Sequence, residues 1–244
     1  MVYSSKQNPL VKEINALKDK KYRNKFGLYI AEGVKMVNEA ISLGVEVVTV
    51  VATTSVINQI KSGSYKLMEV TDDVFSYLSD EATPQGALAV IKIKNVEVNA
   101  PKGNCLLLDG VADPGNMGTI IRTAAAFGYT DLYLINCVDP YSNKAVRASM
   151  SGIYFVNVYK TDYQTAFSAL SGVDIIVADM GGKNLDNYAN YNKHCIVVGN
   201  EANGVSETVK TNATDIVGIP MSATSESLNV AVASAIMMYK LKNN

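Results

Sequence analysis

Arg122 is one of only three arginines, with Arg23 and Arg147, among 22 basic residues. It stands in GTIIRTAAAFG, beside Ile121, Ala124, Ala125 and Phe127. A guanidinium in such company either closes a buried structural ion pair or grips a phosphate or carboxylate with its planar fork. Three Gly/Asn/Ser-rich segments share the second half of the chain with it. They are DPGNMG with Asn116, GNEANG with Gly199 and Glu201, and SATSES, which ends on Ser227 and runs into Leu228 and Asn229. Taken singly each is weak. Asp-Pro-Gly-Asn is ordinary turn chemistry, Gly199 and Gly204 can serve backbone geometry alone, and Ser225 or Ser227 can simply cap a helix. Each segment nevertheless follows a strand-like run, and ligands of open α/β sheets collect beyond the carboxyl ends of strands, so the three can wall one pocket. The dinucleotide fingerprint GxGxxG and the phosphate loop GxxxxGK[ST] are both absent, so a nucleotide-type ligand would be held differently. His194 is the sole histidine, which disfavours histidine triads and multi-histidine metal sites. Cys105, Cys137 and Cys195 are odd in number and widely spaced, which favours free thiols over disulfides or a metal centre.

The elements that must position these residues alternate between strand and helix. Asn8-Pro9 is a helix start, with Leu10, Ile14 and Leu17 on one face. After it come short β-branched runs and helical stretches up to Ile93, consistent with a compact α/β layer domain. The stretch KNVEVNAPKGN loses periodicity and reads as a linker, which places one domain at 1–97 and a second at 104–244. The second half reads as a mainly parallel α/β sheet, with a helix expected from Gly118 to Phe127, a strand from Asp174 to Asp179 and a final helix after Leu228. That last helix is apolar nearly all round, so it must be buried in a core or against another subunit. With 244 residues, 48% hydrophobic and 18% charged, the chain is globular, and no apolar run reaches the length of a membrane span. No secretory signal is visible in the polar N-terminus, so the expected location is cytoplasmic. The formal charge of −1 hides a basic first stretch. Residues 1–25 hold Lys6, Lys12, Lys18, Lys20, Lys21, Arg23 and Lys25 against Glu13 and Asp19, which suits a phosphate backbone or a solvated helix face.

Together the segments DPGNMGTIIRTAAAFG, IVVGNEANGVS and IPMSATSESLNVAVA resemble the three motifs of the SpoU/TrmH family of RNA 2'-O-ribose methyltransferases, in the SPOUT superfamily. Asn116, Gly118 and Arg122, then Gly199, Glu201 and Gly204, then Pro220, Met221, Ser227, Leu228 and Asn229 fall on the motif positions. Asp113 stands where Asn is more usual. The segment from Asn8 to Ala40 resembles the family's N-terminal substrate-binding domain, which is similar to small α/β ribosomal proteins that hold structured RNA.

The resemblance implies an α/β fold with a trefoil-knotted C-terminal domain and a homodimer built on that domain. It implies S-adenosylmethionine as cofactor, held around Gly199, Glu201, Ile219, Met221 and Leu228, and no metal. Arg122 and Asn116 would face the ribose and its phosphate, while Ser227 and Asn229 orient the hydroxyl or brace the loop and Glu201 anchors its neighbour. Lys18, Lys20, Lys21, Arg23 and Arg147 are the expected RNA contacts, with 23S rRNA as the favoured substrate. A tRNA substrate, base methylation, or a non-catalytic RNA-binding or ribosome-assembly protein of the same fold are the alternatives.

Overall fold

A computed structural model describes residues 2–189, 192–222 and 227–242. Ser225, one of the two serines read as a helix cap, lies outside the described residues. The chain runs α1 (Pro9–Ala16), α2 (Lys20–Phe26), β1 (Leu28–Glu32), α3 (Val34–Ser42), β2 (Val47–Thr53), β3 (Lys66–Val70), α4 (Asp72–Leu78) and β4 (Ala87–Lys92). It continues with β5 (Cys105–Asp109), α5 (Pro114–Phe127), β6 (Asp131–Ile135), α6 (Asn143–Ser149), β7 (Asn157–Lys160) and α7 (Tyr163–Ala169). The last elements are β8 (Asp174–Asn184), β9 (His194–Gly199), α8 (Glu207–Thr211), β10 (Asp215–Gly218) and α9 (Val230–Leu241). No helix among the described residues is long and apolar enough to cross a membrane.

Two compact units result, one of residues 1–94 with 139–154, the other of 95–138 with 155–244. The segment 139–154 therefore departs from the sequence expectation, which kept all of 104–244 together. Two contacts show why it belongs with the first unit. Tyr141 tilts against Tyr29 with ring centroids 5.1 Å apart, and Tyr154 donates its hydroxyl to the Met36 carbonyl at 3.3 Å.

The first unit is a four-stranded sheet in the order β1-β4-β2-β3, antiparallel except for the parallel β2/β3 pair. Val11, Ile14 and Leu17 of the α1 region pack with Val74, Phe75 and Leu78 of α4 over Ile30, Met68, Leu88 and Val90. α1 opens as its sequence requires, with Asn8 accepting from the Leu10 N–H at 2.9 Å and Pro9 in the first turn. The basic stretch after it forms a separate helix, α2, capped by Asp19 and closed by Gly27. A single 3-10 turn at Ile57–Gln59 follows β2.

The second unit is a fully parallel six-stranded sheet, β10-β8-β9-β5-β6-β7. β5, β6 and β9 are buried along their whole length, as a parallel sheet covered on both faces demands. The chain starts in β5, builds outward through β6 and β7, and then returns on the other side of β5. The strand order therefore reverses between β5 and β9, the position at which open α/β sheets leave a crevice. β8 departs from the short strand expected. Ile216 of β10 pairs with Val177, but the next residue, Val217, pairs with Lys183, so residues 178–182 leave the ladder as a bulge. Gly182 permits the rejoining, because a Cβ there would stand 2.5 Å from the Ile216 carbonyl.

Candidate functional site

α5 begins four residues earlier than its apolar pattern suggested. Asp113 is the N-cap, accepting from the Asn116 N–H at 2.9 Å, and Pro114 fills the first turn. Asp-Pro-Gly-Asn is thus a helix start rather than a free turn, and Asn116 is held on the first turn of a rigid element. On the far side of the crevice, the loop after β9 is tight. Asn200 and Gly204 exchange backbone hydrogen bonds at 3.0 and 2.9 Å, and a Cβ on Gly199 would lie 2.2 Å from the Gly204 carbonyl carbon. Only glycine lets the chain close on itself there. Asn200 also donates from Nδ2 to the Gly110 carbonyl at 2.8 Å, which fastens this loop to the end of β5.

The closed loop aims Glu201 at the start of α5. Its carboxylate accepts from the Ala112 and Asp113 N–H groups at 3.1 and 3.2 Å and from Asn116 Nδ2 at 2.9 Å. Burial alone would raise its pKa, but these donors outweigh it and hold the group below the usual carboxylate range. Asn116 Oδ1 then accepts from Asn229 Nδ2 at 2.9 Å, and Asn229 Oδ1 accepts from the Ala231 and Val232 N–H groups of α9 at 2.9 and 3.3 Å. Chemistry fixes both amide orientations. A carboxylate can only accept and helix N–H groups can only donate, so both amides must point the same way along the relay. Asn229, rather than Ser227, is the cap of α9.

One prediction follows for Asn229→Asp. The cap and the favourable charge at a helix N-terminus survive, so the melting temperature should hold. Asn116 would then lie between two acceptors and could satisfy only one. Activity should fall roughly tenfold, the worth of about one such hydrogen bond. Unchanged turnover in the variant would reduce Asn229 to a cap.

Beside this relay lies a cleft of about 600 Å³, within the usual range for small-ligand sites. All five residues read as cofactor-holding, Gly199, Glu201, Ile219, Met221 and Leu228, line it, together with Ser227 and Asn229. The apolar part of the wall comes from Val198, Val217, Ile219, Met221 and Leu228, and among the described residues its carboxylates are Asp179 and Glu201. No lysine or arginine is among the described lining residues. Ala178, Asp179 and Met180, which arrive on the β8 bulge, were not expected from the sequence. The available signal was DMGG directly after the apolar run DIIVA, a glycine-rich strand end like the other two.

Arg122 is not the partner in a buried ion pair that its apolar neighbours allowed. It is exposed on α5, outside the cleft lining, and makes no ion pair among the described residues. Asn116 borders the cleft through its two partners rather than lining it. His194 sits at the opposite end of β9 from Gly199, wholly buried, with Tyr129 at 2.8 Å from Nε2 and the Asn192 carbonyl at 3.0 Å from Nδ1. It is a structural histidine whose burial pushes its pKa down. The three cysteines are free, and no cluster among the described residues could hold a metal.

In the first unit the expected RNA contacts divide. Arg23 must be corrected. It is 3% exposed, bonded to Asp139 at 2.8 and 2.9 Å and to the Leu17 and Lys18 carbonyls at 2.8 and 2.7 Å, and is not available to RNA. Lys18 is tied to Asp80 at 3.0 Å and to the carbonyls of Tyr77 and Ser79. Arg147 pairs with Glu81. Lys20 and Lys21 are exposed on α2, with the Lys21 ammonium 5.9 Å from the Tyr22 ring centroid.

Comparison with known proteins adds to this geometry. The model of the SpoU rRNA Methylase family matches residues 103–239, and that of the MRM3-like substrate binding domain matches residues 8–89. The chain is 31% identical over 98% of both lengths to the 23S rRNA (guanosine(2553)-2'-O)-methyltransferase RlmP of Bacillus subtilis. An AdoMet-bound rRNA methyltransferase structure from Sinorhizobium meliloti is 27% identical and superposes with a TM-score of 0.89 over 98% of this chain and 96% of that one. The SpoU methyltransferase AviRb of Streptomyces viridochromogenes, at 21% identity and a TM-score of 0.85 over 96% of this chain and 97% of its own, shares the fold.

Proposed function

The chain belongs to the SpoU rRNA Methylase family, and from that premise we propose that it transfers the methyl group of S-adenosylmethionine to a ribose 2'-OH of structured RNA, with 23S rRNA as the substrate. The observation that carries this reading is the cleft walled by the loop after β9 and the segment before α9, with the start of α5 joined at its edge through Glu201, Asn116 and Asn229, hydrogen-bonded in series. The cleft suits the cofactor. Its apolar wall can take an adenine, its loop backbones can bind a ribose, and its carboxylates complement a cation. When bound, the cofactor supplies an electrophilic methyl on a sulfonium.

What the chain contributes is placement. Gly199, Ile219, Met221 and Leu228 hold the adenosyl part, and Glu201, kept ionised by its donors, locks the β9 loop to α5. Ser227 and Asn229 orient the acceptor hydroxyl, and the relay holds Asn116 and the α5 start in register with α9. Aligning a hydroxyl with a reactive methyl meets a large part of such a barrier. Arg122 stabilises the developing alkoxide and fixes the neighbouring phosphate, since a guanidinium has no acceptor while protonated and is never the base.

The outward face of α9 carries Val232, Ile236 and Tyr239, 48, 36 and 63% exposed. We read this apolar strip as a homodimer surface, the arrangement in which a self-complementary patch is covered twice. The knot belongs to the same reading through membership of the family.

The direct test supplies unmodified 23S rRNA, and tRNA in a parallel reaction, with methyl-labelled S-adenosylmethionine, then digests each RNA to nucleosides. Label should appear in a 2'-O-methylated nucleoside. Label on a base, on tRNA alone, or nowhere would each refute a stated part of the reading. RNA affinity supplies a second check. Lys20 and Lys21 replaced by Ala should flatten the dependence of log K on log salt by roughly 0.7 to 0.9 for each phosphate they neutralise. Lys18→Ala should leave the slope alone, because its ammonium is already engaged. An unaltered slope in the Lys20/Lys21 variant would return them to a solvated face.

A further inference from the structure

We propose that Asp179 is the anionic partner of the cationic methionyl end of S-adenosylmethionine, a role that rests on the cofactor reading above. The β8 bulge brings Ala178, Asp179 and Met180 into the cleft lining, and it sets Asp179 on a wall that carries no basic group among its described residues. Of the two carboxylates among the described residues of the lining, Glu201 is already satisfied by Asn116 and two backbone N–H groups. Asp179 is not satisfied in that way. It accepts from the Gly181 N–H at 3.2 Å and pairs with Lys210 at 2.7 Å, yet its side chain remains 31% exposed.

Lys210 lies outside the cleft lining, on α8, where its ammonium also approaches Glu207 at 3.8 Å. The arrangement therefore anchors the Asp179 carboxylate from behind and leaves it ionised at neutral pH. The hydrogen bond from Lys210 is the main cause holding it below the usual carboxylate range. A carboxylate in a partly enclosed site attracts a cation more strongly than the same group in bulk water. The cofactor offers two such charges, its sulfonium and its α-ammonium. Methyl transfer converts the sulfonium to a neutral thioether while the ribose hydroxyl loses its proton, so only one of the two charges survives in the product.

Three probes separate the possibilities by equilibrium calorimetry on the full chain: S-adenosylmethionine, S-adenosylhomocysteine, which lacks the sulfonium charge, and methylthioadenosine, which lacks both charges. Asp179→Asn should weaken S-adenosylmethionine roughly tenfold, the worth of a charged hydrogen bond, while methylthioadenosine binds as before. A loss confined to S-adenosylmethionine assigns the sulfonium, and a loss shared with S-adenosylhomocysteine assigns the ammonium. Lys210→Ala, by freeing the carboxylate, should tighten the same charged ligands, a change of opposite sign that a purely structural ion pair would not give. Equal losses on all three probes, or none, overturn the proposal. A wild-type chain that binds none of the three removes the cofactor reading, and this role with it.

Discussion

Arg122→Lys should lower methyl transfer by about 10²- to 10³-fold, the usual effect of removing one group that stabilises charge in a transition state. S-adenosylmethionine affinity should stay within a few fold, since Arg122 is outside the cleft lining. Stability should barely move, because the side chain is exposed and substitutions at such sites shift folding by no more than about 0.5 kcal/mol. The separation of these effects follows from chemistry. Lysine preserves the positive charge but not the planar fork that can hold a phosphate and an alkoxide together. Single-turnover rates on RNA, calorimetry with the cofactor and a thermal melt measure the three quantities independently. Near-wild-type turnover would remove Arg122 from the chemistry, and a large drop in melting temperature would make it architectural after all.

That Arg122 is exposed was not evident from its neighbours in sequence, and the reason is geometric. Met117, Ile120, Ile121 and Ala124 are buried, whereas Thr119, Arg122 and Ala126 lie on other faces of the helix. An arginine flanked by apolar residues on a helix need not be surrounded by them, because adjacent positions point about a hundred degrees apart. The helix start was legible and was still misplaced. Asn8-Pro9 and Asp113-Pro114 are the same signal, a capping side chain followed by proline, and both open helices. In the second case the glycine and asparagine that follow made the stretch resemble a turn. That the loop after β9 and the segment before α9 share a cleft could be inferred from residue types alone, since each follows a strand and strand ends gather ligands, whereas the start of α5 joins only the cleft's edge. The β8 bulge could not, because it is defined by where β10 pairs, in a strand that comes much later in the chain. Asp179 was lost with it.

Arg23 marks the other limit, because a count of charges cannot say which of seven basic residues turns inward. Its burial predicts a large effect of another kind. Arg23→Met should destabilise the protein by about 3 to 5 kcal/mol, the usual result of removing one partner of a buried ion pair. Asp139 is only 5% exposed and would be left without its guanidinium, and the Leu17 and Lys18 carbonyls at the end of α1 would lose their donor together. Arg23→Lys should recover little of this, since one ammonium cannot replace a fork that serves Asp139 and two carbonyls on different sides. The double variant Arg23→Met with Asp139→Leu should recover more than either single one, as buried ion pairs exchanged for apolar groups often come out nearly neutral. Urea titrations of these variants beside the parent chain would read the differences from the midpoints at constant slope. If Arg23→Met instead unfolds at the wild-type midpoint and binds RNA more weakly, the guanidinium belongs to the RNA surface that the sequence suggested, and the buried pair with Asp139 carries no stability.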